Sequence, residues 1–324
     1  MTATALGYIT SPARRHPGWL RAGISAGLLA LLLALVDLDA AWGILAAADP
    51  GLLGLMLGLM LGERLFAAWR WLVLLRVAGS RVRFWPVLRL TFISNFLGIF
   101  LPGGVGIEVL RVWGLSRLLA DLPLALSSVV VERLCGLMAM ILIIAVGLLL
   151  APIELPYAVE VVAAGALIAL LAGIAAFAHP WSRRLAWRAL GAVPSGLRDS
   201  MVGLAQRLDG YRCRPGALAW SLALAAAFQA LRVTTLVIGA LALGIDVDPV
   251  LLMVVVPVGT LVTQVPISIG GFGPREASYV VLLGLAGVAP EAALVLALTR
   301  EGLNLVTTLP GAVMYARTSL AGRR

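Results

Sequence analysis

The sequence predicts an all-α polytopic membrane protein with about six full transmembrane helices and two re-entrant helical hairpins. Hydrophobic residues make up 61% of the 324 residues, charged residues only 13%, and the mean hydropathy is +1.01. A soluble domain could not bury so much apolar side chain. The apolar residues also form runs of about 20, the length that crosses a bilayer as a helix. Two of the runs are broken by glycine and proline, which predicts the hairpins.

The positive charge of the chain is explained by membrane topology. Lysine is absent, so all 25 basic residues are arginines, and the formal net charge is +9. Arginines between apolar runs fix orientation and meet anionic lipid headgroups. No nucleic-acid motif accompanies them, so nucleic acid is not an expected partner. The two cysteines and two histidines lack the spacing of a disulfide framework or metal site, and no cofactor or metal is expected.

The first two apolar runs are interpreted as full crossings. Residues 1–18 are polar, and Trp19–Leu38 is interpreted as the first anchor rather than a signal peptide, because nothing after it resembles a soluble mature domain. Gly51–Val77 crosses back toward the cytoplasm. It carries three charged residues, Glu63, Arg64 and Arg70. We expect their long side chains to reach the cytoplasmic interface.

Two stretches have the pattern of a short helix, a glycine break and a second short helix. The first break is Pro102–Glu108, which follows Leu90–Leu101. The second break is Gln264–Glu276, between the apolar runs Val250–Val265 and Ala277–Val288. These runs are too short for a comfortable crossing, and irregular backbone at membrane depth must be buried in protein or line a wet cavity. Both stretches are therefore predicted to be re-entrant hairpins.

The remaining apolar runs complete the predicted topology. They are Leu124–Leu150, Tyr157–Ala178, Ala217–Leu243 and Pro290–Tyr315. The arginine-rich loop 179–216 is predicted to be cytoplasmic, as are both termini, in a bacterial inner membrane. Within this loop, apolar residues at helical spacing predict an amphipathic helix on the membrane surface: Leu197, Met201, Leu204, Leu208 and Tyr211.

The two hairpin regions predict an inverted repeat within a single domain spanning residues 1–324. Gly103-Gly104-Val105-Gly106 matches Gly270-Gly271-Phe272-Gly273, and the halves span about 84–150 and 249–315. Each half has an adjacent charge pair in its next apolar helix, Glu132-Arg133 in one and Arg300-Glu301, in reversed order, in the other. Three predicted crossings separate the hairpins, which gives them opposite orientations. Transporters built this way bind substrate at broken helices near the midplane.

With these motifs identified, the chain resembles the lysylphosphatidylglycerol synthase transmembrane family. Gln264–Leu283 carries the resemblance most specifically, together with Asn95–Arg111 and Glu132–Gly136. These flippase-like proteins also form the N-terminal part of the bacterial multiple peptide resistance factor. The resemblance implies movement of a polar lipid between leaflets or handling of a lipid-linked headgroup. The sequence ends at Arg324 without the soluble aminoacyl-transfer domain of the synthases, so we do not expect lipid aminoacylation by this polypeptide alone.

The leading candidate for substrate binding is Arg275 with its neighbour Glu276. Pro274 suits the first position of a helix, which places both residues in a first turn whose free N–H groups can receive an anion. The alternative is a structural pair that pins the hairpin. Glu132 could likewise be braced by Arg275, and Glu301 by Arg111.

The other candidates are polar residues inside or beside apolar helices, where a charge must face a cavity or a partner. They are Glu108, Arg111, Glu132, Arg133, Arg232, Arg300, Glu301, Asn95, Gln264 and Asn304. Arg232 lies three residues after Gln229, so both are expected to face one interior. Asn95 and Gln264 precede the breaks and are expected to cap the broken helix ends.

The predicted function is that of a lipid flippase or transporter, not an enzyme. It would move a polar or phosphate-bearing lipid between leaflets, with membrane lipids as partners and a homo-oligomer or a biosynthetic enzyme as a further partner. The alternative is an accessory subunit or enzyme of a lipid-linked pathway that makes a glycolipid, hopanoid or aminoacyl-lipid. No catalytic constellation of His, Asp or Cys is recognised in the apolar runs.

Overall fold

The computed structural model describes residues 27, 30–34, 36–101, 105–150, 165, 168, 172, 195–264, 268 and 271–321. The described residues form helices and turns without strands, which confirms the predicted all-α class. The helices are α1 (Leu38–Ala46), α2 (Pro50–Val77), α3 (Phe84–Gly98), α4 (Val105–Leu119), α5 (Leu122–Leu150), α6 (Ser195–Arg212), α7 (Pro215–Ala242), α8 (Pro249–Val262), α9 (Pro274–Gly284) and α10 (Pro290–Ala321).

Four of the helices in the described part of the chain are long and apolar enough to cross a membrane. They are α2, α5, α7 and the Pro290–Arg317 part of α10, and α8 is a shorter apolar helix. These helices match four of the six predicted crossings. The other two predicted crossings, Trp19–Leu38 and Tyr157–Ala178, lie mostly outside the described residues. The structure therefore establishes four candidate spans.

Acidic caps and prolines start several of these helices. The Asp49 carboxylate accepts hydrogen bonds from the backbone N–H groups of Gly51 and Leu52 at 2.7 and 3.2 Å, ahead of Pro50 at the first helical position of α2. Asp248 caps α8 in the same way, accepting from Val250 N–H at 2.8 Å. Such caps satisfy backbone donors that have no partner within the helix.

Each predicted glycine break joins two short helices that pack together, but it is shorter than predicted, since α4 begins at Val105 and α9 at Pro274, inside the predicted breaks. α3 and α4 form the first hairpin, and α8 and α9 form the second. Gly98 of α3 lies against Ile107 of α4, and Gly259 of α8 lies against Tyr279 of α9, so close that neither glycine could carry a Cβ atom. Residues 102–104, 265–267 and 269–270 of the two breaks lie outside the described residues.

The two sets of four helices, α2–α5 and α7–α10, pack in corresponding ways. In each set, the second hairpin helix packs on the next long helix, so that α4 contacts α5 and α9 contacts α10. The first hairpin helix also packs on the last long helix of the other set: α3 contacts α10, and α8 contacts α5. Each set has its own apolar cluster, one around Trp71 and Leu115 and the other around Leu252 and Tyr279.

Helix α6 confirms the helical spacing predicted in the basic loop but corrects its environment. The Tyr211 side chain is buried, and its hydroxyl donates a hydrogen bond to Leu74 O at 3.0 Å. Burial raises the pKa of Tyr211, so the hydroxyl keeps its proton at neutral pH. Arg207 forms an ion pair with Asp121 at 2.6 Å. The end of α6 is therefore bound to α2 and α5 rather than lying only on lipid. Residues 179–194 of the loop lie outside the described residues.

Candidate functional site

A polar cavity of about 300 Å³ lies among the long helices and the two hairpins. Eleven of the twelve candidate residues line it: Asn95, Glu108, Arg111, Glu132, Arg133, Arg232, Gln264, Arg275, Arg300, Glu301 and Asn304. Glu276 does not. The cavity thus brings together residues from both hairpins and from long helices that are far apart in the sequence.

Glu132 of α5 is held by two arginines. Its carboxylate forms ion pairs with Arg70 of α2, at 2.9 Å, and with Arg111 of α4. Only 5% of Glu132 is exposed. Arg111 also lies 4.0 Å above the ring of Trp71, and Arg70 lies 5.0 Å from the ring of Phe228. Both arginines are therefore fixed by a carboxylate on one side and an aromatic ring on the other.

Each hairpin is joined to the following long helix by an ion pair. In the first hairpin, Glu108 of α4 pairs with Arg133 of α5. In the second, Arg275 of α9 pairs with Glu301 of α10. The acidic and basic partners are exchanged between the two pairs. This exchange agrees with the reversed order of the charged dipeptides that the sequence shows.

Amide side chains extend the second pair across the cavity. Asn304 Nδ2 donates to Glu301 Oε1 at 2.8 Å, and Asn304 Oδ1 accepts from Arg64 of α2. Arg64 also donates to Asn95 Oδ1 at 2.8 Å, while Asn95 Nδ2 donates to the carbonyl of Thr91 at 2.7 Å. These bonds connect α9, α10, α2 and α3 in one polar network. They also show that Asn95 binds the Arg64 side chain and a carbonyl of its own helix, and its predicted capping role stays a prediction.

Arg232 and Arg300 face the cavity without a carboxylate partner among the described residues. Arg232 donates to Gln229 Oε1 at 3.4 Å, which confirms that these two side chains share one interior face. Arg300 is only 7% exposed, and no hydrogen bond or ion pair of its side chain is found in the part of the chain that the structure describes. It repels Arg64, Arg232 and Arg275 electrostatically. Glu63, which also lines the cavity, accepts a hydrogen bond from the Thr235 hydroxyl at 2.7 Å.

Glu276 lies in the first turn of α9 and does not line the cavity. Its carboxylate is fully buried and accepts a hydrogen bond from the Gly273 N–H at 2.7 Å. The helix starts at Pro274, as predicted. Gly273 has a φ of +91°, which is readily adopted only by glycine. Glu276 therefore acts as a helix cap in this structure.

The predicted bracing partners were wrong. Glu132 does not pair with Arg275, nor Glu301 with Arg111. The reason is the packing of each hairpin on the long helix of its own set, which puts Arg111 beside α5 and Arg275 beside α10. Gln264 lines the cavity, and its predicted capping role stays a prediction.

Three cavity residues were misplaced by the sequence interpretation. Glu63, Arg64 and Arg70 were expected at the cytoplasmic interface but line the cavity, and Glu63 and Arg70 are each 9% exposed. A usable signal was present, because Glu63 and Arg64 lie near the middle of the 28-residue helix α2 rather than at its end. A charge at that position is too far from the interface to reach water along the helix.

Comparison with known proteins confirms the family resemblance. The model of the family described as "Lysylphosphatidylglycerol synthase TM region" matches residues 18–311. One similar curated protein is "Glycosyltransferase AglD" of Haloferax volcanii, with 34% identity over 124 residues. That match covers 37% of this chain and spans only 19% of AglD.

Proposed function

The chain belongs to the lysylphosphatidylglycerol synthase transmembrane-region family, and on that premise we propose that it moves a polar or phosphate-bearing lipid between the two leaflets of a membrane. The observation that carries the proposal is the cavity. A polar headgroup crossing the bilayer needs a polar route, and the cavity supplies one among apolar helices.

The charge of the cavity favours an anionic headgroup. It is lined by seven arginines, Arg64, Arg70, Arg111, Arg133, Arg232, Arg275 and Arg300, and by four glutamates, Glu63, Glu108, Glu132 and Glu301. Buried charges without partners are costly inside a membrane and usually mark substrate or ion pathways. The excess of arginine suits a phosphate, since guanidinium binds phosphate oxygens with two parallel hydrogen bonds.

The proposed route keeps the acyl chains in lipid while the headgroup passes through the cavity. The two hairpins would then be re-entrant, with their polar tips at membrane depth. In this proposal α2–α5 and α7–α10 form an inverted repeat within one domain of residues 1–324. The matched packing and the exchanged ion pairs Glu108–Arg133 and Arg275–Glu301 support it. The proposed location is a bacterial inner membrane with both termini in the cytoplasm.

A second candidate function is suggested by the name of the similar archaeal protein. AglD is called a glycosyltransferase, so the chain could instead serve a lipid-linked pathway (glycolipid, hopanoid or aminoacyl-lipid) as an accessory subunit or enzyme. In that case a biosynthetic enzyme or a second copy of the chain would be its partner. The matched segment is a small part of AglD, and therefore translocation is the first proposal.

A leaflet-resolved assay distinguishes the two functions. Purified protein is reconstituted in vesicles with a fluorescent phospholipid, and a membrane-impermeant quencher reports the fraction in the outer leaflet. Faster exchange of unmodified lipid than in protein-free vesicles supports translocation. A chemically altered lipid, detected by mass spectrometry when candidate donors are added, supports the enzyme. Vesicles containing the Arg300→Gln variant are the matched control. Their lipid exchange should be slower than with the unaltered protein, because Arg300 lines the cavity.

A further inference from the structure

The charged residues of the cavity divide into two clusters with different balance. In the first cluster every arginine contacts a carboxylate; its members are Arg70, Arg111, Arg133, Glu108 and Glu132. In the second cluster one ion pair, Arg275–Glu301, is formed; its members are Arg64, Arg232, Arg275, Arg300, Glu63 and Glu301. The arginines of the first cluster all have a carboxylate partner, whereas in the second cluster Arg232 and Arg300 line the cavity without an ion pair among the described residues.

Arg300 is the most unusual member of the second cluster. The residue is more than nine-tenths buried and lines the cavity with three further arginines, Arg64, Arg232 and Arg275, and it forms no ion pair with Glu63 or Glu301, the two carboxylates of this cluster. Burying a guanidinium without a counter-charge is strongly unfavourable. The position is explained if an anion joins it when the site is occupied.

Arg232 and Arg64 supply further donors around the same space. Among the described residues, the Arg232 side chain makes one hydrogen bond, to Gln229 at 3.4 Å, near the limit for such bonds. Arg64 is oriented by two neutral amides, Asn95 and Asn304, which fix its direction without cancelling its charge. Three arginines from three helices, α2, α7 and α10, thus line the same cavity and are available to one ligand group.

The charge of the second cluster indicates which anion fits. Its arginines exceed its glutamates by two formal charges. A phosphomonoester carries about −1.5 to −2 near neutral pH and has three terminal oxygens, whereas a phosphodiester has two such oxygens and a single charge. We propose that Arg64, Arg232 and Arg300 bind the terminal phosphate of a phosphomonoester headgroup. This inference rests on the lipid-translocating function proposed above and specifies the class of lipid.

The test compares lipids that differ only in the headgroup, with inorganic phosphate as a ligand that has no acyl chains. The full chain is purified in detergent, and its melting temperature is measured with short-chain phosphatidic acid, phosphatidylglycerol of the same chains, the matching diacylglycerol and inorganic phosphate. A ligand that binds the folded state raises the melting temperature. We expect the largest rise, about 5 °C at saturation, with phosphatidic acid at pH 7.5.

The pH dependence identifies the dianion. Each rise is measured against ligand-free protein at the same pH. The rise with phosphatidic acid should shrink at least twofold at pH 5, where the phosphate has lost its second charge, since the second ionisation lies near pH 6. The smaller rise with phosphatidylglycerol should not change in this way. Equal rises with both lipids at both pH values would overturn the proposal, and an equal rise with inorganic phosphate would overturn the assignment to a lipid.

Variants locate the site. Arg300→Gln and Arg232→Gln should each lower the affinity for phosphatidic acid at least about tenfold. This is the loss expected when a charge-assisted contact is removed. Arg198→Gln, in the exposed part of α6, is the control and should bind normally. Unchanged affinity in Arg300→Gln would refute the site even if the lipid preference held. Tight, variant-sensitive binding without leaflet exchange would instead contradict the proposed function and leave the site standing.

Discussion

Arg275 of α9 and Glu301 of α10 form a buried ion pair that joins the second hairpin to the following long helix. The sequence suggested Arg275 as a phosphate ligand or as a partner of a glutamate, and the structure shows that the glutamate is Glu301. The guanidinium therefore has a structural role that any ligand contact must share. This pairing determines what its loss should do.

Arg275→Ala should destabilise the protein. It strands the Glu301 carboxylate, which is nearly fully buried, and breaking a buried pair from one side costs about 3 kcal/mol or more. The melting temperature of the purified protein should fall, and adding Glu301→Gln should restore much of the loss. If Arg275→Ala melts like the unaltered protein while leaflet exchange stops, the ligand role outweighs the structural one.

Glu132→Ala should be more damaging than the loss of either arginine that it binds. The single carboxylate pairs with both Arg70 and Arg111, so its removal leaves the buried Arg70 and the largely buried Arg111 without this counter-charge. We expect a loss of about 3–5 kcal/mol. Arg70→Ala leaves the Arg111 contact in place and should cost less. The two variants are compared by thermal melting in one detergent, and a larger fall for Arg70→Ala would contradict this account.

Arg300→Gln should behave in the opposite way to Glu132→Ala. Arg300 has cationic neighbours and makes no ion pair with the described residues, so neutralising it removes repulsion. The melting temperature without ligand should be unchanged or higher, while lipid exchange falls. A marked loss of stability would show that Arg300 supports the fold.

Exchanging the two charges of the pair Glu108–Arg133 should be less harmful than changing either residue alone. Glu108→Arg and Arg133→Glu should each lower expression and melting temperature, because each puts like charges together across α4 and α5. The double variant should recover part of the loss, with a coupling of about 1 kcal/mol, since Arg133 is about one-third exposed and partly screened. Additive losses would show that the contact is unimportant. The second hairpin already has this reversed arrangement, since its arginine, Arg275, lies on the hairpin and its glutamate, Glu301, lies on the long helix.

Cysteine labelling tests the proposed orientation. In intact cells a cysteine at Asp248 or Pro290 should react with a membrane-impermeant reagent, and one at Arg198 should not, because the arginines concentrate in alternate loops. The exposed native Cys213 follows α6 and serves as an internal control before it is replaced by serine. It should react only after the cells are permeabilised. Equal labelling at Arg198 and Asp248 would rule out the topology and the inverted orientation of the halves.

The long helices and the composition of the site could be predicted from the sequence. The apolar runs that became α2, α5, α7 and α10 were predicted within a few residues, because length and hydropathy are local properties. Polar residues in those runs had to face inward, which is why most candidates line one cavity.

The partners within the site could not be predicted in the same way. Glu132 is bound by Arg70, which is 62 residues earlier, and Arg64 reaches Asn304 across 240 residues. Such choices depend on which helix faces lie together, and the sequence pattern of one helix does not contain that information. The misplacement of Arg70, which lies closer to the end of α2 than Arg64 does, has the same cause, since near a helix end a snorkelling side chain and a cavity-lining one look alike until the helix is packed against its neighbours.

The close contacts at Gly98 and Gly259 restrict how the cavity can widen. With Ile107 and Tyr279 seated against bare backbone, the two limbs of a hairpin are interlocked and cannot slide past each other by a helical turn without a clash. Sliding of one limb along the other is therefore disfavoured relative to movement of the two limbs together. The second limb of each hairpin is joined to its long helix by one ion pair, Glu108–Arg133 with α5 and Arg275–Glu301 with α10. Because the two ion pairs have opposite polarity, the arginine lies on the hairpin in the second pair and on the long helix in the first, so an anion in the cavity would meet a basic side chain from a different kind of element on each side.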